Sequence, residues 1–167
     1  MSSAHTLRWI FGIGCSVLAL LFLGLLSLLI FVGAKGPETF VVEGHHMKAK
    51  HLKRLEELGV LEPDEKILLF YSDGLLDIAD GSYLLTDRHL IVYCDAWEQP
   101  LEKYPYTQVV DATLERDESF FTDSHLTVIL AEGFETSFPL SSEKNGDERF
   151  LEKLEEQMEI ARSSPLE

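Results

Sequence analysis

The chain has 167 residues, 46% of them hydrophobic, and a formal net charge of −15. From Leu61 onward 8 Lys and Arg stand against 25 Asp and Glu, a balance that repels phosphates and excludes nucleic-acid binding as the task of that region. Two cysteines, Cys15 and Cys94, exclude a disulfide framework and a paired-cysteine zinc site, and lean toward a reducing compartment.

Residues 1–8 read as a polar tail. Between Arg8 and Lys35 there is no Asp, Glu, Lys, Arg or His, and Leu, Ile, Val and Phe fill most of residues 9–34. About 20 apolar residues in a helix rising 1.5 Å each span a hydrocarbon core roughly 30 Å thick, so 9–34 is read as a single transmembrane helix in contact with the lipid bilayer. Val32-Gly33-Ala34 looks like a small-residue cleavage site, but the apolar run is longer than a signal peptide's, which is about 7–15 residues. An exported domain released near Ala34 is therefore the alternative and retention the reading adopted. Gly12, Ser16 and Ala19 share one helical face, with Gly24 and Ser27 beyond. Small residues so spaced permit close helix approach and a homodimer, although they are frequent in membrane helices for other reasons. Lys35 and the cluster Lys48, Lys50, Lys53 and Arg54 follow the span, whereas only Arg8 precedes it. The excess of basic residues places the C-terminal part in the cytoplasm.

Residues 35–60 read as a linker holding a short extended piece at Thr39 to Val42 and a short amphipathic helix from Met47 to Leu58. Met47, Leu52, Leu55 and Leu58 supply its apolar face and Gly59 its stop. Its basic positions, Lys48, Lys50, Lys53 and Arg54, are candidate contacts to lipid headgroups, each worth about 1 kcal/mol at an anionic leaflet. Past Leu61-Glu62-Pro63 the apolar period shortens. Strands are predicted over Lys66–Tyr71, Tyr83–Thr86, His89–Cys94, Val109–Arg116, His125–Ala131 and Glu135–Leu140, separated by Asp-Gly, Thr-Asp-Arg and Glu-Gly turn signals. Val110, Ala112 and Leu114 alternate with Asp111, Thr113 and Glu115, the pattern of a sheet wet on one side. Asp147 to Arg162 is predicted as a helix presenting Phe150, Leu151, Leu154, Met158 and Ala161, with Asp147 and Glu148 suited to its N-terminal dipole. Residues 163–167 are expected to fray.

Three stretches in this region match a known pattern. Leu61-Glu62-Pro63-Asp64-Glu65-Lys66-Ile67-Leu68 resembles the L-x-P-x-E-x-I-L opening of bacterial pleckstrin-homology (PH)-like and GRAM-like domains. Leu84-Leu85-Thr86-Asp87-Arg88-His89-Leu90-Ile91 is similar to their L-T-D-x-R-L-I hairpin, with the order of basic and apolar residues altered at His89 and Leu90. Tyr104-Pro105-Tyr106-Thr107-Gln108-Val109 resembles their I-P-Y-x-Q-I stretch. The resemblance covers Leu61 to Ala161 and implies an α+β fold over residues 61–162, an antiparallel β-barrel or sandwich capped by a C-terminal helix. Physically, Asp87 and Arg88 are expected to make a tight hairpin turn through the Asp side chain, and Pro105, lacking an N–H, to sit at an edge or corner.

Chemistry is sparse. PH domains that bind phosphoinositides carry Lys and Arg around the first hairpin loop, but Ser72 to Gly81 holds Asp73, Asp77 and Asp80 and no basic residue, so that activity is not expected here. The spacing of these Asp residues does not match a calcium loop. His45, His46 and His51 are read as polar residues of an exposed helix, and Cys94 as a small packed residue of a strand. No nucleophile with its base, no metal site and no cofactor motif emerges. The expected function is a single-pass membrane protein displaying a binding or scaffolding module to a protein partner, without catalysis. A lipid or envelope sensor working through the basic juxtamembrane helix is the alternative.

Overall fold

The computed structural model describes residues 18–28, 36–116 and 123–163, in two compact units, Met1–Gly36 and Pro37–Glu167. In the first unit residues 18–28 are helical, and the Ser27 hydroxyl donates to the Leu23 carbonyl at 2.8 Å, keeping its polar atom within the helix. Among the described residues no helix is long and apolar enough to cross a membrane. The remainder of the expected span, 9–17 and 29–34, lies outside them, as do residues 164–167 of the expected tail.

The second unit is α+β. Among the described residues eight strands run in chain order: β1 Val42–Glu43, β2 Ile67–Tyr71, β3 Ser82–Thr86, β4 His89–Tyr93, β5 Leu101–Pro105, β6 Val109–Glu115, β7 Ser124–Leu130 and β8 Glu135–Leu140. Helix α1 is Ala49–Glu57 and α2 is Gly146–Ser163. All neighbours are antiparallel, in a five-stranded sheet ordered β1-β2-β3-β4-β5 and a three-stranded sheet ordered β6-β7-β8. The antiparallel sheets and closing helix agree with the expected fold class.

Between the sheets lies the main core. Leu69, Tyr71, Tyr83, Leu85, Leu90 and Val92 from one side meet Leu126, Val128, Phe138 and Leu140 from the other, and α2 closes the end with Phe150, Leu154 and Met158. Alternation along β7 and β8 makes this possible, since every second residue points inward. An aromatic ladder crosses the core. Tyr71 stacks on Tyr83 and Tyr83 on Phe138, whose ring meets Phe150 edge-on at 6.0 Å. Asp147, expected only to suit the dipole, is buried and accepts the Ser124 hydroxyl at 2.6 Å, fastening α2 to β7.

Several expectations are corrected. The sheet expected to be wet on one side is the three-stranded one, and it is, with Asp111, Thr113 and Glu115 exposed and Ala112 and Leu114 half-buried. The five-stranded sheet differs, since all of β3 is buried, because a second cluster of Val42, Leu55, Val60, Phe70, Ile78, Leu84 and Ile91 covers its outer face. A strand covered on both faces reads as a continuous apolar run, as Tyr83-Leu84-Leu85 does. The residues covering it come largely from the expected linker. From Pro37 on, that stretch belongs to the compact unit: Val42 and Glu43 pair with Phe70 and Leu69, and α1 inserts Leu55. Gly59, at φ +66, ends α1 as predicted and directs the Val60 N–H back to the Leu55 carbonyl. In β6 a bulge between Val109 and Asp111 turns Val110 out, leaving it 55% exposed while Val109 takes the core position. Strand β5 went unpredicted because Leu-Glu-Lys-Tyr-Pro lacks an apolar run; its pairing with β4 makes it a strand. Pro105 does lie at the end of this edge strand, at the corner into β6.

Candidate functional site

The three motif stretches meet at one buried polar node. Pro63 and Asp64 form a turn in which Asp64 takes the left-handed conformation (φ 63) and the Glu65 N–H returns to the Glu62 carbonyl. This brings the fully buried Glu65 carboxylate back to the Glu62 N–H at 2.9 Å. The same carboxylate accepts the Thr86 hydroxyl at 2.6 Å and His89 Nδ1 at 2.8 Å. Thr86 Oγ1 in turn accepts the N–H groups of Arg88 and His89, and the Tyr106 hydroxyl donates to the Thr86 carbonyl at 2.7 Å. Burial pushes the Glu65 carboxyl up, but the Thr86 hydroxyl, the Glu62 N–H and His89 outweigh it and hold it below the ordinary range. Thr86, not Asp87, therefore makes the hairpin turn. Asp87 instead reaches across to accept the Lys66 N–H at 2.9 Å. The node joins β2, β3, β4 and the β5–β6 corner, and its groups satisfy one another, so its part is to hold the sheet in register.

Three of the four candidate lipid contacts face carboxylates of the fold while remaining open to solvent. Lys48 pairs with Glu38 at 2.8 Å, Lys53 lies 3.6 Å from Glu57, and Arg54 contacts Asp77 at 3.1 Å. Lys50 is exposed on α1. Asp77 also accepts the Ala79 N–H within the loop before β3, so Arg54 ties the helix to the acidic loop. The other two loop aspartates serve separate ends, one through its side chain and one through its backbone. Asp73 accepts the Tyr83 hydroxyl at 3.2 Å, and Asp80 has its carbonyl facing the Cys94 thiol at 3.1 Å. Cys94 lies just past the end of β4 and is half-buried, rather than packed within a strand. The three histidines do not gather: His51 is buried and 3.4 Å from Glu38, while His45 and His46 are exposed.

An open groove of about 750 Å³ lies between the free margins of the two sheets. Glu102 and Tyr104 of β5 line it on one side and Glu135, Thr136 and Ser137 of β8 on the other, and Trp97 and Phe134 also line it. Phe134 is 67% exposed and Trp97 38%. The Tyr104 hydroxyl donates to Glu102 at 2.6 Å, and burial together with that carboxylate drives its pKa upward, so it stays a protonated donor. Both bordering strands end their sheets and so carry backbone groups without a strand partner on their outer side. The sequence singles out Tyr104 as part of a motif stretch, but nothing in it points to Trp97, Glu102, Phe134 or Glu135 as site residues. The available signal is a bulky aromatic outside every predicted strand and helix, at Trp97 and at Phe134.

No family model matches the chain, and no curated protein matches it. Among solved structures it is similar to a DUF1696 family protein with a pleckstrin-homology domain from Shewanella loihica PV-4, at 16% identity and a TM-score of 0.49, over 74% of this chain and 99% of that one. It is also similar to a pleckstrin-homology domain from Shewanella amazonensis SB2B, at 17% identity and a TM-score of 0.46, over 66% of this chain and 90% of that one.

Proposed function

We propose that the chain is a single-pass membrane protein whose second unit is a PH-like binding module, held on the cytoplasmic side and engaging an extended segment of a protein partner in the groove between β5 and β8. The PH-like reading is supported by the motif series and by the element order: four consecutive antiparallel strands, β2 to β5, then three more and a closing helix. The membrane reading is supported by the uncharged run of residues 9–34 and by the helical state of residues 18–28. The observation that carries the binding role is the groove itself, where two edge strands flank a surface of exposed aromatics. An added strand gains main-chain hydrogen bonds from such an edge and specificity from side-chain pockets. Glu102 and Glu135 favour a basic segment. Catalysis has no part in this reading. The lipid-sensor alternative draws less support, because Lys48, Lys53 and Arg54 already face carboxylates of the fold.

Two experiments test the reading. Carbonate washing of vesicles should leave the chain in the membrane, and protease added outside intact cells should spare the second unit; release or external cleavage overturns the placement. Selection of displayed decapeptides against the full chain in nanodiscs should enrich sequences mixing Lys or Arg with apolar residues. Phe134→Asp and the pair Glu102→Lys with Glu135→Lys should each weaken them at least tenfold. Peptides that bind all variants equally, or no enrichment, refute the groove as the site.

A further inference from the structure

We propose that Glu43, His45 and His46 form a binding site for a divalent transition-metal ion, with zinc the best match. A carboxylate oxygen of Glu43 lies 3.4 Å from His45 Nδ1. The two imidazole rings stand 3.9 Å apart at their centroids, tilted by 43°, and one donor atom from each of the three side chains lies within 4.8 Å of the others. A tetrahedral zinc ion with bonds of about 2.0–2.1 Å holds neighbouring donors about 3.4 Å apart. The Glu43–His45 pair already has that spacing, and a small rotation of the exposed His46 ring brings in the third donor.

The backbone beneath these donors is fixed by the sheet. Glu43 is paired with Leu69 across β1 and β2. Gly44 then passes so close to β2 that a Cβ there would lie 2.0 Å from the Ile67 carbonyl oxygen. The turn Gly44–His46 closes with the Met47 N–H returned to the Gly44 carbonyl. Two imidazoles and one carboxylate leave a fourth position to water, the donor set of open zinc sites. Imidazole also favours zinc, copper and nickel over magnesium and calcium. The donors are exposed, so an ion reaches them from solvent. Beside them, Glu43 and His46 form part of the rim of a groove of about 300 Å³ that Glu38, Lys144 and Arg149 also line.

The other group of comparable donors among the described residues is Glu62, Glu65 and His89. It is closed to a metal, because Thr86, the Glu62 N–H and His89 already occupy the Glu65 carboxylate and the Arg88 guanidinium stands 3.6 Å from Glu62. The Glu43 carboxylate, by contrast, faces His45, itself a donor of the proposed site. The proposed site leaves out His51, which is buried beside Glu38.

The test uses the full, tag-free chain in detergent micelles, titrated with Zn²⁺ by calorimetry and with Co²⁺ by its visible absorption. The expected result is one ion per chain, with the tetrahedral cobalt bands. His45→Ala and His46→Ala should each lower Zn²⁺ affinity at least tenfold, and Glu43→Gln severalfold. His125→Ala, an exposed histidine on β7, should leave it unchanged. Zn²⁺ should also raise Tm in the native chain and not in the His45→Ala, His46→Ala double variant. The proposal is overturned if the native chain binds no Zn²⁺, if the double variant binds as tightly as the native chain, or if His125→Ala weakens binding as much as His45→Ala.

Discussion

Replacing Glu65 with Gln tests the claim that the motif residues work as one node. The side chain is fully buried and accepts three donors, the Thr86 hydroxyl, the Glu62 N–H and His89 Nδ1. Hydrogen bonds to a charged acceptor contribute about 1.5–3 kcal/mol each, and a buried donor left without a partner costs about 1–3 kcal/mol. Gln keeps one oxygen, which can still serve Thr86 and His89, but turns an N–H donor toward the Glu62 N–H. One charged bond is then lost and two donors face each other, for a total of about 2.5–6 kcal/mol. In a body of this size that lowers Tm by roughly 10 °C or more. The effect must also depend on pH. Glu65 is held below its ordinary 4.5 in the fold, so its contribution is complete above pH 4.5 and is lost as pH falls through the lower folded value. Thermal unfolding followed by circular dichroism at pH 7 and pH 3 measures both. A variant within about 0.5 kcal/mol of the native chain at pH 7, or a gap of the same size at both pH values, refutes the argument.

Two further outcomes follow from the covered face of the five-stranded sheet. Gly44→Ala forces a methyl group onto the Ile67 carbonyl and should cost about 3 kcal/mol, read as a lower urea midpoint at unchanged slope; an unchanged midpoint contradicts the close approach. His51 is buried beside Glu38, and burial pushes its pKa below the ordinary 6.5 although Glu38 pulls it up while Lys50 and Lys48 push it down. The unfolded chain therefore takes up a proton that the fold resists. Stability should fall as pH drops from 6.5 toward the lower folded value, and His51→Gln should flatten the Tm-against-pH curve in that window. A curve with the same slope in native and variant chains removes His51 as the cause.

The parts of this fold that the sequence discloses are those set by local pattern. Six strands, the C-terminal helix with all five of its named apolar residues, and the stop at Gly59 each follow from periodicity or a turn residue within a few positions. What it hides depends on register and on distant partners. Thr86 and Asp87 stand side by side, and either is chemically able to cap the hairpin. The choice is made by Glu65, 21 positions upstream, which fixes Thr86 through its hydroxyl while Lys66 draws Asp87 away. Likewise Val110 belongs by alternation to the core, and only the bulge opposite Leu130 and Ile129 sends it to solvent.

The charge map shows the same limit in another form. In the sequence the basic stretch around Lys48 to Arg54 and the acidic loop of Asp73, Asp77 and Asp80 look like two separate surfaces, one drawn to lipid and one repelled by it. In the fold Arg54 reaches Asp77 and Lys48 reaches Glu38, so part of each surface is turned against the other. The Arg54–Asp77 contact spans α1 and the loop leading into β3, the two pieces that cover the outer face of the five-stranded sheet together with Leu55 and Ile78. Charges that seemed to report on a partner thus also register the cover on the sheet, and a change at Arg54 that weakens binding to vesicles carries meaning for lipid only if this cover is shown to remain in place.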